Sequence, residues 1–118
     1  MIKAIRTATT VDQDSPELIK DASVEIMSLM LKSNELKLEN IISVFFSITP
    51  DLKSFNPATA VREILNWTEI PMICFQEAFI EGGLPYCIRS LIHIQNHQNH
   101  EIKHIYLHKA KNLRSEWS

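Results

Sequence analysis

The chain has 118 residues, 45% of them apolar and 22% charged, with a formal net charge of -2. That length predicts one domain over residues 1–118, with enough core to fold without staples, and the charge balance argues against a general nucleic-acid binder. No apolar run approaches the roughly 18 residues of a membrane span, and residues 1–6 lack a signal-peptide pattern, so a cytoplasmic protein beginning near Met1 is expected.

Residues 1–8 alternate in the manner of a short strand. Ser15-Pro16 reads as an N-cap with proline at the first helical position. Leu18, Ile19, Ala22, Ile26, Leu29 and Met30 then make one apolar stripe, predicting a helix over 16–32. The run Ile-Ile-Ser-Val-Phe-Phe-Ser-Ile at 41–48 predicts a strand buried on both faces, closed by Thr49-Pro50-Asp51. Asn56-Pro57 repeats the cap-and-proline signal and opens a short helix to about residue 66. Residues 71–76 predict a second short buried strand.

Gly82-Gly83 are the only glycines in the chain, marking a turn with positive φ or a close backbone approach. Residues 87–94 and 104–107 read as the last strands, with a polar loop around Gln98 between them. Strands and helices in this order predict an α+β fold, a mixed sheet with helices packed on it.

The eight lysines scatter over polar segments, whereas the four arginines mark particular places. Arg6 ends the first strand, Arg62 lies early in the second helix, and Arg114 is in the tail, with 111–118 expected as a mobile end. Taken alone, these three read as surface ion pairs. Arg89 differs, because Cys87-Ile88 and Leu91-Ile92 surround it and a buried charge needs a partner. Glu77 stands at the end of the strand at 71–76, where sites in such sheets often lie, and with a buried arginine it becomes a candidate site residue. The planar guanidinium suits fixed recognition of carboxylate or phosphate.

His93, His97, His100, His104 and His108 lack the spacing of a zinc site, and the polar loop accounts for several of them. Cys74 has no base nearby in sequence to make it a nucleophile. Cys74 and Cys87 are neither a metal pair nor a disulfide framework. The residues alone thus indicate an anion-binding domain and name no substrate.

A series of segments nonetheless resembles the trimeric α/β class of monofunctional chorismate mutases, the AroH class. They are Ile5-Arg6-Thr7-Ala8-Thr9-Thr10-Val11, Ser47-Ile48-Thr49-Pro50-Asp51-Leu52, Pro57-Ala58-Thr59-Ala60-Val61-Arg62-Glu63 and Cys74-Phe75-Gln76-Glu77. Gly82-Gly83-Leu84, Cys87-Ile88-Arg89, Ile105-Tyr106-Leu107, Lys109-Ala110 and Leu113-Arg114 follow in family order. The resemblance implies a homotrimer forming a pseudo-α/β-barrel, with active sites between subunits. It implies conversion of chorismate to prephenate, on the route to phenylalanine and tyrosine, without cofactor or metal.

By correspondence, Arg89, Glu77 and Arg6 are the catalytic residues. Arg89 would donate to the ether oxygen and touch a carboxylate, while Arg6 and Tyr106 grip the side-chain carboxylate. Glu77 and Cys74 would take the ring hydroxyl. Arg62 would lie near the ring carboxylate, with Ile73, Ala58, Thr59, Leu113 and Arg114 completing the lining. The sequence departs from the family pattern at Thr7, Asn56 and Thr59, and in a loop one residue short near Gln98. The competing expectations are a non-catalytic trimeric sensor of a carboxylated metabolite and a purely structural trimerisation domain.

Overall fold

The computed structural model describes residues 1–95 and 101–116, with side chains described through Leu113. Strand β1 (Ile2–Thr10) leads to helix α1 (Pro16–Ser33), a 3-10 turn (Leu38–Asn40) and strand β2 (Ile41–Ile48). Helix α2 (Pro57–Ile64), strands β3 (Met72–Gln76), β4 (Cys87–Gln95) and β5 (Ile105–Tyr106), and a 3-10 segment (His108–Glu116) follow. The sheet order is β3-β2-β4-β1-β5. The inner pairs β2–β4 and β4–β1 are antiparallel, and both edge strands join in parallel.

Both helices start where their caps predict. Ser15 accepts from the Leu18 amide and Asn56 from the Ala58 amide, each with proline next. These bonds satisfy amides that a helix start leaves without partners. The buried stripe of α1 is Ile19, Ala22, Ser23, Ile26, Met27 and Met30, so Met27 joins it while Leu18 and Leu29 sit at its margin. Ser23 is accommodated there by donating to the Ile19 carbonyl at 2.6 Å.

Both helices pack on one face of the sheet. Their apolar stripes meet Ile5, Val44, Phe46, Ile88, Ile92 and Ile94. Thr7 and Ser90 are buried on that same face, paired hydroxyl to hydroxyl across β1 and β4. The opposite face is largely open. Among the described residues only its β1–β5 end is covered, by a small cluster of Ala8, Cys87 and Ala110 with Leu84, Tyr106 and Leu113 against it.

Three expectations change accordingly. Strand β2 is buried on the helix side only, with Phe45 38% exposed on the other. Strand β3 is an edge strand and not a buried one: Ile73 and Phe75 are 48% and 53% exposed. In each case the apolar side chains on the open face have no covering layer among the described residues. Third, Arg6 lies in the middle of β1, because that strand runs on to Thr10. The loop expected around Gln98, with His97 and His100, lies outside the described residues.

Candidate active site

Strand register decides which side chains can meet. Ala8 pairs with Arg89 on one side and Tyr106 on the other, and Arg89 pairs with Ser47. Cross-strand partners share a face and residues two apart in a strand share it too. Arg6, Arg89 and Tyr106 therefore all project from the open face, around the small side chain of Ala8.

Glu77 joins them from β3. Its amide donates to the Ile48 carbonyl at 2.7 Å, carrying the β2–β3 ladder one residue past the strand end. Ser47 donates its hydroxyl to Glu77 Oε2 at 2.9 Å, which aims the carboxylate along the face. Arg89 Nε lies 3.4 Å from the same oxygen. That nitrogen is shielded from solvent yet makes no hydrogen bond of good geometry, although the Arg89 side chain as a whole is 37% exposed. The expectation of a buried Arg89 is thus met at the inner end of the side chain only. Residues 88 and 92 are buried on the helix face, whereas Arg89 points the other way.

The turns around the pair are built by short polar side chains. Thr49 donates to Asp51 at 2.5 Å and accepts from the Cys87 amide, while Asp51 accepts from the Tyr86 amide. This buckle fixes the entry to β4 two residues before Arg89. Gly83 donates to the Ile80 carbonyl at 2.9 Å, and Gly82 has φ +80, which a type II turn requires at that position. A Cβ at Gly83 would stand 3.0 Å from the Ile80 oxygen. The two glycines thus serve both purposes expected of them, one each. The loop they close and the Thr49–Asp51 turn bound a cleft of about 360 Å³ into which Glu77 and Arg89 face.

At the β5 end, Lys109 donates its amide to Thr10, and His108 Nε2 lies 3.1 Å from Glu25 on α1. These contacts set Leu113 against the Ala8–Tyr106 cluster. The side chain of Arg114 lies outside the described residues.

The remaining predicted residues stand elsewhere. Cys74 pairs with Phe46 and packs into the helix-side core, so it is on the far face of the sheet from Glu77. Ala58 is buried, Thr59 half-buried and Arg62 exposed, all on α2 on that far side. Ile73 is on the open face at the opposite edge from Tyr106. One chain therefore assembles Arg6, Glu77, Arg89, Tyr106 and Leu113, and leaves Cys74, Ala58, Thr59 and Arg62 apart.

Both cysteines are free. Burial raises the Cys74 thiol above its ordinary pKa and pushes Cys87 up to about 11, against the opposing charge of Arg89. Neither is a thiolate at neutral pH. Among the described residues no cluster of His, Cys, Asp and Glu has metal-holding geometry. Ser47 and the Thr49–Asp51 buckle were missed as supports of the site, since their partners lie 30 to 38 residues away.

Residues 2–117 match the chorismate mutase type I family. The chain is 38% identical over 119 residues to chorismate mutase AroH of Bacillus subtilis (strain 168), covering all of this chain and 94% of that protein. It is 35% identical over 118 residues to chorismate mutase AroH of Thermus thermophilus, covering 98% and 96% respectively. Among solved structures, a chorismate mutase from Clostridium thermocellum superposes with a TM-score of 0.89 at 35% identity, covering 93% of this chain and 98% of that one.

Proposed function

The chain belongs to the type I chorismate mutase family, an isomerase that rearranges chorismate to prephenate, and from that premise we propose how its residues share the work. The reaction is intramolecular. An ether C–O bond breaks as a C–C bond forms, leaving negative charge on the ether oxygen and positive character on the ring. The site must fold a flexible dicarboxylate and meet that charge separation.

Arg89 donates to the ether oxygen. The observation that carries this is its Nε, shielded and without a good hydrogen bond, beside a Glu77 carboxylate already held by Ser47. A donor fixed in advance needs no reorganisation as the charge develops. Glu77 faces the ring as it becomes positive. Arg6 and Tyr106, flanking Ala8 on the same face, take the side-chain carboxylate. Leu113 and Arg114 close the tail over them.

The working assembly is a homotrimer whose sites lie between subunits. Two facts support it. Phe45, Ile73, Phe75 and Leu91 leave an apolar face uncovered on the side that carries the charged pair, the kind of patch that marks an interface. Cys74, Ala58, Thr59 and Arg62 lie across the sheet from that pair, so they reach the same ligand only from a neighbouring subunit. There Cys74 would meet the ring hydroxyl and Arg62 the ring carboxylate. Its setting is the cytoplasm, in keeping with two free cysteines.

The test is Arg89→Ala. Chorismate consumption, followed by absorbance without added metal, should fall about 10²–10³-fold in kcat, the typical loss of one preorganised donor, while sedimentation still shows the trimer. Full turnover in the variant would remove Arg89 from its role.

A further inference from the structure

Strand β5 is only two residues long, yet it carries Tyr106. Its parallel ladder with β1 includes the Leu107 amide donating to the Ala8 carbonyl at 3.0 Å. Continued regularly, that ladder would offer the Arg6 amide the carbonyl of Lys103. Lys103 is engaged elsewhere. Its carbonyl accepts from Asn34 Nδ2 at 3.0 Å and its amide donates to Asn34 Oδ1 at 2.7 Å. Asn34 is buried at the end of α1 and is itself held by the Met30 carbonyl. The Arg6 amide instead donates to Nδ1 of His104 at 2.9 Å. An imidazole thus replaces a backbone carbonyl in the ladder, at the residue whose side chain heads for the substrate.

We propose that His104 is a positioning residue: by accepting from the Arg6 amide through Nδ1 it holds β5 on β1, and so fixes the distance between the Arg6 guanidinium and the Tyr106 hydroxyl. The proposal rests on the reading that these two groups bind the substrate carboxylate. The role requires a neutral ring with its proton on Nε2. Partial burial and the Arg6 charge both hold His104 below its ordinary pKa, which favours that form.

Two substitutions separate positioning from packing. His104→Leu fills the space without an acceptor, and His104→Asn puts Oδ1 near where Nδ1 stands. His104→Leu should raise the KM for chorismate about fivefold, the worth of one hydrogen bond, with kcat changed less because Arg89 and Glu77 are untouched. His104→Asn should restore KM to within about twofold of the parent. In nitrogen-15 NMR of the parent enzyme at neutral pH, Nδ1 should be the unprotonated ring nitrogen.

A protonated Nδ1 overturns the proposal, as does a folded His104→Leu enzyme with parental KM. So does a His104→Asn enzyme as impaired as the leucine variant. If His104→Leu does not fold, the asparagine variant and the NMR signature decide. Arg6→Ala and Tyr106→Phe test the underlying reading separately: parental KM in both would remove that reading, and not only the part given to His104.

Discussion

Cys74 and Glu77 are three residues apart in sequence and stand on opposite faces of the sheet. Cys74 is in the helix-side core with Phe46, and Glu77 is on the open face with Ser47 and Arg89. An odd separation along extended chain does this by geometry alone. Any site using both must draw them from different chains.

Complementation follows from that division. In the proposed trimer, Arg89→Ala removes one wall of each cleft, and Thr59→Trp obstructs the other. Each homotrimer should be nearly inactive. Refolding an equal mixture should recover a substantial part of parental turnover, because some clefts then combine two intact walls. Failure to recover any activity, with mixed trimers demonstrated by mass spectrometry, would mean that one chain supplies the whole site.

The thiols should respond differently to alkylation. Cys87 is fully buried with its pKa pushed up to about 11, while Cys74 is only partly buried and raised less decisively. At pH 8, mass spectrometry of the folded enzyme should find slow labelling confined to Cys74, and denaturant should release Cys87. Equal labelling of both in the folded state would contradict the packing around Ala8.

Stability should fall on the acid side of neutrality. The His104 pKa is lowered in the fold, so the unfolded chain takes up a proton first as pH drops past its ordinary value of 6.5. The contribution is therefore complete above that value and lost as pH falls through the folded pKa. Asp14 acts in the same direction at lower pH. Its carboxylate accepts from Ser54 and from the amides of Lys53 and Ser54, and its pKa is lowered from 3.8. Urea midpoints between pH 7.5 and 5 should decline, and decline less in His104→Asn. An identical slope in that variant would exclude His104 as the source.

The glycine turn gives two unlike outcomes. Gly82→Ala has open space around the new methyl but a φ of +80, so it should cost roughly 1–2 kcal/mol of stability with little effect on KM. Gly83→Ala meets the Ile80 carbonyl at 3.0 Å and should displace the cleft wall, altering KM as well. Equal effects on KM would show that the loop does not bound the substrate.

Local chemistry was legible in the sequence and pairing was not. Ser15-Pro16, Asn56-Pro57 and Gly82-Gly83 announce caps and a turn because those residues act on backbone within a few positions. The apolar run at 41–48 announces strand β2 but overstates its burial, because nothing in such a run says whether its second face is covered by the same chain. Arg89 and Glu77 stood out as charges beside apolar strands. Their common partner Ser47, the Thr7–Ser90 pair and the His104 contact with Arg6 depend on strand order, with partners 30, 83 and 98 residues distant. No periodicity records such separations.

The hydroxyl pair of Thr7 and Ser90 has a consequence for how the protein tolerates changes in length. It lies one residue before Ala8 and one after Arg89, on the side facing the helices. Sliding β4 by one residue would turn the Arg89 guanidinium into the apolar interior and Ile88 or Ser90 outward. The segment between β3 and β4 is exposed loop over much of its course, where an added residue is absorbed by a wider bend. A single insertion between Cys87 and Arg89 would instead invert parity and exchange the inside of the protein for its outside. Chain length is thus free to drift a few positions upstream of the critical arginine, and locked at the arginine itself.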